Sequence, residues 1–183
     1  MKKKRQIVYA FIDSQNLNLG ANKDLFNKNG KKIYKGWKLD FKKFRVYLRD
    51  KFYVSKAFLF IGYIKGNERL YSNLKRWGYE IVFKPTIQDG SGKSKGNIDA
   101  ELVLYSAAIE FQKYNKAVIV SGDGDFYCLH NYLLNKNKLL NIIIPNCYSE
   151  SSLLKKFQEY KIFLNREQNK LEFLSNKNGR RRV

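Results

Sequence analysis

The chain has 183 residues, enough for one domain with a full core and too few to expect two. With 44% hydrophobic and 28% charged residues it is not a disordered chain, and Cys128, Cys147 and His130 are too few soft ligands for a structural zinc site. The 36 Lys and Arg outnumber the 16 Asp and Glu to give a formal +20, which favours a polyanionic partner, although an AT-rich genome also selects Lys and Asn.

The apolar run Ile7 to Ile12 behind the basic start ends at Asp13, short of a secretory core, and no stretch is long enough to span a membrane. The expectation is a cytoplasmic protein with reduced thiols and no membrane partner. Ile7 to Ile12 itself reads as a strand buried on both faces. Similar runs follow at Ala57 to Ile64, Tyr79 to Phe83, Ala117 to Val120 and Leu140 to Ile144, with a weaker one at Ile162 to Leu164. Between them, helical spacing predicts helices over Asp40 to Lys51, Glu68 to Trp77, Ile98 to Lys113, Phe126 to Asn135 and Ser151 to Tyr160. Strands alternating with helices imply right-handed crossovers, and so an α/β fold: a three-layer α/β/α sandwich with a mostly parallel central sheet, Rossmann-like in organisation.

Two stretches rich in Lys, Gly and Asn, Gly20 to Lys38 and Pro85 to Asn97, read as surface loops, and long loops in a compact domain are often functional. The domain is placed at 1–165, followed by a basic extension over 166–183 that ends in a mobile tail containing Arg180, Arg181 and Arg182.

In an open parallel sheet the functional crevice lies at the carboxyl ends of the strands. Asp13 follows the first strand in Phe11-Ile-Asp-Ser-Gln-Asn16, and Asp123 and Asp125 follow the fourth in Val120-Ser-Gly-Asp-Gly-Asp125. Asp99 opens the helix after the second loop, in Lys95-Gly-Asn-Ile-Asp99. If the first and fourth strands are neighbours, these carboxylates converge, and hard oxygen ligands without His or Cys select Mg²⁺ or Mn²⁺. Such a site suits phosphodiester chemistry. Asn16 is placed to orient a carboxylate or water, with the Ser121 hydroxyl behind it. Each acid also has a plain structural role open to it, as a turn residue, a helix cap or a partner of the helix dipole. Glu101 points away from Asp99 around the helix and is a weak ligand candidate.

The segments Phe11-Ile-Asp-Ser-Gln-Asn-Leu17, Lys95-Gly-Asn-Ile-Asp-Ala-Glu-Leu102 and Val120-Ser-Gly-Asp-Gly-Asp-Phe126 resemble the NYN domains of the PIN-like nuclease superfamily, particularly the bacterial LabA-like group. The resemblance runs from about Ile7 to Asn165. It implies a PIN-like sandwich and a metal-dependent ribonuclease using Mg²⁺ or Mn²⁺, with Asp13, Asn16, Asp99, Asp123 and Asp125 in the site. Ser14 stands where the family often has Gly, and Tyr105 and Ser106 stand where many members carry a further acid, which points to one metal rather than two or to weak activity. A regulatory RNA-binding module without catalysis is the alternative.

For substrate contact, Lys84, Lys93 and Lys95 border the acidic opening, while Lys35 and Trp37, with Lys31, Lys32, Lys38 and Tyr34, offer phosphate attraction plus base stacking. A role pinning the loop to the core suits the same aromatics slightly better. The expected partner is single-stranded RNA, and a homodimer is compatible with the sequence.

Overall fold

A computed structural model describes residues 6–84, 87–88, 94–95 and 98–174, with backbone alone at 87, 88, 94, 95 and 98. The chain runs β1 (Val8–Asp13), α1 (Ser14–Asn22), β2 (Leu25–Phe26), β3 (Lys32–Tyr34), α2 (Phe41–Phe52), β4 (Val54–Gly62), α3 (Glu68–Arg76) and β5 (Tyr79–Lys84). It continues through β6 (Ile87–Gln88), β7 (Ser94–Lys95), α4 (Ile98–Leu104), β8 (Lys116–Val120), α5 (Tyr127–Asn135), β9 (Leu139–Ile144), β10 (Lys161–Phe163) and α6 (Gln168–Leu171). A 3₁₀ segment, Ser152–Tyr160, connects β9 to β10.

Six strands form one parallel sheet in the order β10-β9-β8-β1-β4-β5. Every residue of β1 is buried, as a central strand covered on both faces requires. On one face, Leu17 and Ala21 of α1, Phe44 and Leu48 of α2, Leu74 of α3 and Leu171 of α6 pack against Ala10, Ile12 and Leu59. On the other, Leu102 of α4, Leu129 and Leu133 of α5, and Leu154 and Phe157 of the 3₁₀ segment pack against Phe11, Phe58 and Ile119. This is the three-layer α/β/α sandwich read from the sequence.

The chain leaves β1 toward β4 under one helical layer and enters β8 from the other. The crossovers therefore part between β1 and β8, opening a crevice above their carboxyl ends, where open α/β sheets bind ligands.

The stretch over Gly20 to Lys38, expected to be loop, contains the end of α1 and the antiparallel β2–β3 hairpin. The hairpin is docked: the Tyr34 hydroxyl donates to the Ala21 carbonyl at 2.9 Å and Trp37 N–H donates to the same oxygen at 3.0 Å. Gly36 permits that approach, because a Cβ there would lie 2.0 Å from the Asn22 carbonyl oxygen.

The single helix expected over Ile98 to Lys113 is instead α4 followed by a π-helical turn, Tyr105–Ile109, and a 3₁₀ turn, Phe111–Lys113. Local hydrogen bonds favour the widening. The buried Ser106 hydroxyl donates back to the Leu102 carbonyl at 2.7 Å, the Tyr114 hydroxyl claims the Ser106 carbonyl at 2.6 Å, and Glu110 N–H reaches five residues back to Tyr105.

Past β10, Leu171 is buried, Glu172 bridges Leu39 and Phe173 N–H donates to the Lys38 carbonyl, so the chain lies against the sandwich as far as residue 173. The tail from Asn176 onward and most of the Pro85 to Asn97 loop fall outside the described residues. Among the described residues no helix is long and apolar enough to cross a membrane.

Candidate active site

Asp13 ends β1 and caps α1: its Oδ1 accepts from the backbone N–H groups of Gln15 and Asn16, both at 3.0 Å. The cap turns the chain sharply out of the sheet and holds the carboxylate at the mouth of the crevice, only 5% exposed. Asn16, in the first turn of α1, reaches across to the neighbouring strand, where its Oδ1 accepts from Gly122 N–H at 2.8 Å. That bond ties the end of β1 to the turn after β8.

Asp123 caps that turn by accepting from Asp125 N–H at 3.0 Å, and its own N–H donates to the Ser121 hydroxyl at 3.2 Å. Gly122 and Gly124 allow the turn to lie close to its neighbours. A Cβ on Gly124 would stand 2.3 Å from Ser151 Oγ, and one on Gly122 would stand 3.1 Å from Ile144 Cγ2.

Asp13, Asn16, Asp99 and Asp123 line one cleft of about 490 Å³, together with Gln15, Lys23, Lys84 and Ser149. Burial is the main cause that raises the Asp13 carboxyl above its usual pKa of 3.8, partly offset by its two backbone bonds, with the Asp123 charge adding to the rise. Burial likewise raises Asp99, followed by repulsion from Asp13, Asp123 and Asp125. Lys84 opposes the rise at both sites. The acids therefore act on one another electrostatically despite their separation in sequence.

The donor chemistry fits a divalent cation: hard oxygens, mutual repulsion, and Oδ1 of Asp13 and Asp123 committed to backbone caps, leaving Oδ2 outside those caps. Among the described residues no three acids form a ready-made ligand set. Such an ion would therefore take part of its shell from water or phosphate, as Mg²⁺ commonly does.

The cleft gathers Asp13, Asn16, Asp99, Asp123 and Lys84 from the expected set. Asp125 is exposed at its rim and close enough to raise Asp99, while Ser121 is fully buried beneath the Asp123 turn. Lys93, and the side chain of Lys95, lie outside the described residues. Lys35 is exposed beside Asp24, whose carboxyl its charge helps to lower, and does not line the cleft. Trp37 corrects the expectation of base stacking: its ring is 3% exposed in the core under the docked hairpin, so it pins the chain and has no face to offer a base. Lys23, missed in the sequence, lines the cleft from the cap of α1. Its signal was helical spacing, since it lies seven residues after Asn16.

The chain's single histidine takes no part. His130 is fully buried in α5 against Phe157, with ring centroids 5.5 Å apart.

Among curated proteins none matches this chain. A crystal structure of a protein of unknown function from Vibrio parahaemolyticus is similar, with a TM-score of 0.68 and 19% identity over 94% of this chain and 100% of that one. Likeness at that identity speaks for the fold alone. The model of the NYN domain matches residues 8–165, from the first residue of β1 to just past β10 and with the whole cleft inside it, so the chain belongs to the NYN family of the PIN-like superfamily.

Proposed function

We propose that the protein is a metal-dependent endoribonuclease that hydrolyses RNA phosphodiester bonds in the cleft between β1 and β8. Membership of a nuclease-like family supports the general class of reaction. The observation that carries the finer reading is the convergence of Asp13, Asp99 and Asp123 with Lys84 at the sheet's switch point, where burial and mutual repulsion raise two of the carboxyls.

In this reading Asp13, Asp99 and Asp123 would hold Mg²⁺ or Mn²⁺ in part through bound water, with Asp125 at the rim. The bound ion supplies Lewis-acid stabilisation of the charge that develops on the phosphate and activation of the attacking water. Lys84 and Lys23, which both line the cleft, offset phosphate charge. Asn16 keeps Asp13 and Asp123 in register through Gly122, and Ser121 fixes the turn from beneath. Preorganised groups of this kind spare the reaction the cost of assembling them.

A second reading, a regulatory RNA-binding NYN module, is favoured by one specific observation. Asp13 and Asp123 both serve as backbone caps, which accounts for two of the acids without catalysis. The test is to incubate the purified protein with labelled single-stranded RNA and matched DNA, in Mg²⁺, in Mn²⁺ and in chelator. Metal-dependent cleavage of RNA supports the nuclease, and binding without cleavage in every condition replaces it with the regulatory module.

A further inference from the structure

Among the described residues no aromatic ring lines the carboxylate cleft for a base to stack on, and the buried Trp37 does not supply one. Exposed rings stand elsewhere along the same carboxyl edge. Tyr63, the first residue after β4, is 45% exposed, and Phe83, next to last in β5, is 38% exposed. Their rings meet edge to face at 5.5 Å, and both rest on Tyr71 of α3, Phe83 at 4.9 Å and Tyr63 at 5.7 Å.

Tyr71 is a fixed floor. It is buried, and its hydroxyl accepts from Ile64 N–H at 2.8 Å. The Tyr63 hydroxyl in turn donates to Glu68 at 3.1 Å. Two large rings are thus held in place with part of their surface open to solvent, at little further entropic cost to a ligand that stacks on them.

The shelf shares the sheet's carboxyl edge with the cleft but lies on its α3 face. Phe83 pairs with Ile61, one residue beyond Phe60, the partner of Asp13, and the next residue, Lys84, lines the cleft. Two strand spacings separate the backbones of Phe83 and Asp13 by about 10 Å along the sheet edge. Exposed Lys65 and Arg69 each stand two residues along the chain from one of these rings and outnumber Glu68 there, which favours a polyanion over an apolar protein segment.

We infer that Tyr63 and Phe83 form a stacking platform for bases of a single-stranded RNA whose phosphate backbone enters the Asp13, Asp99 and Asp123 cleft, with Lys65 and Arg69 pairing with phosphates beside it. The inference rests on the proposed function for the identity of its ligand. It adds where bases are held, and it makes recognition tolerant of sequence, since every base has a face to stack.

The test measures affinity by fluorescence anisotropy in an Asp123→Asn background, which prevents turnover. Three probes are used: a short labelled uridine RNA, the same backbone with abasic riboses, and a matched DNA. Tyr63→Ala and Phe83→Leu are expected to weaken binding of the uridine RNA, the former by about tenfold. Binding of the abasic strand is expected to stay unchanged, and Tyr63→Phe is expected to retain affinity because the ring remains. An equal loss on DNA also supports the platform, whose rings contact base faces rather than sugars. Equal losses on uridine and abasic strands, or no loss on either, overturn it. Cleavage by the unmodified protein is read separately, so a chain that stacks RNA here and cuts nothing keeps the platform and loses the nuclease.

Discussion

Replacing His130 with leucine exchanges a buried imidazole for an apolar side chain of similar size. Among the described residues neither ring nitrogen has a hydrogen-bond partner, and burial depresses the pKa from 6.5 to about 4. The sign follows from which state takes up the proton. Between about 6.5 and about 4 the unfolded chain protonates His130 and the folded chain does not, so stability is lost as pH falls through that window. Each pH unit is worth about 1.4 kcal/mol, giving a total of about 3 kcal/mol. The unpartnered nitrogens cost about a further 1 kcal/mol even when neutral. Urea unfolding of both proteins at a series of pH values separates this from the carboxylates, which titrate in both and cancel in the difference. His130→Leu should stabilise by about 1 kcal/mol at neutral pH and by several kcal/mol toward pH 4. A stability difference that does not change with pH, or a variant that is less stable throughout, refutes the argument.

Three further outcomes concern the cleft. Asn16→Ala removes the acceptor of Gly122 N–H and should cost about 1 kcal/mol in urea unfolding while slowing RNA cleavage more than it weakens RNA binding. The raised carboxyls of Asp13 and Asp99 should make the metal-free protein lose stability as pH rises from the usual 3.8 through their folded-state values. Asp99→Asn should flatten that decline in thermal melts run with chelator, and an unchanged decline contradicts the repulsion. Gly124→Ala drives a methyl into Ser151 Oγ and should destabilise by about 1–3 kcal/mol while displacing Asp123, read as lost cleavage and a lowered melting temperature.

The sheet was legible because its strands are continuous apolar runs, and β1, wholly buried, could be nothing else. The placement of Asp13 and Asp123 followed from the rule that parallel strands present their carboxyl ends to ligand, with no knowledge of the helices. Helix α1 escaped notice because Asn16, Asn18, Gly20 and Asn22 are poor helix formers and only Leu17 and Ala21 anchor its apolar side; Asp13 as its cap was the available sign. The break in α4 depends on Tyr114 drawing on the Ser106 carbonyl, a contact made only in the folded chain. Trp37 misled because lysines on both sides are the same whether a ring faces solvent or core; the Gly36 contact with α1 decides it, and that is tertiary. Tyr63 and Phe83 carry no local signal either, since their shared edge exists only once β4 and β5 pair.

The central claim is that the aspartates of one cleft both hold a divalent ion and cut RNA. The most direct measurement compares the rate of cleavage of labelled RNA in Mn²⁺ by the unmodified protein and by Asp123→Asn, with RNA affinity measured on the same samples. The account predicts cleavage by the former, loss of cleavage in the latter, and nearly equal affinity. Cleavage that persists in Asp123→Asn, or that proceeds unchanged in chelator, contradicts it.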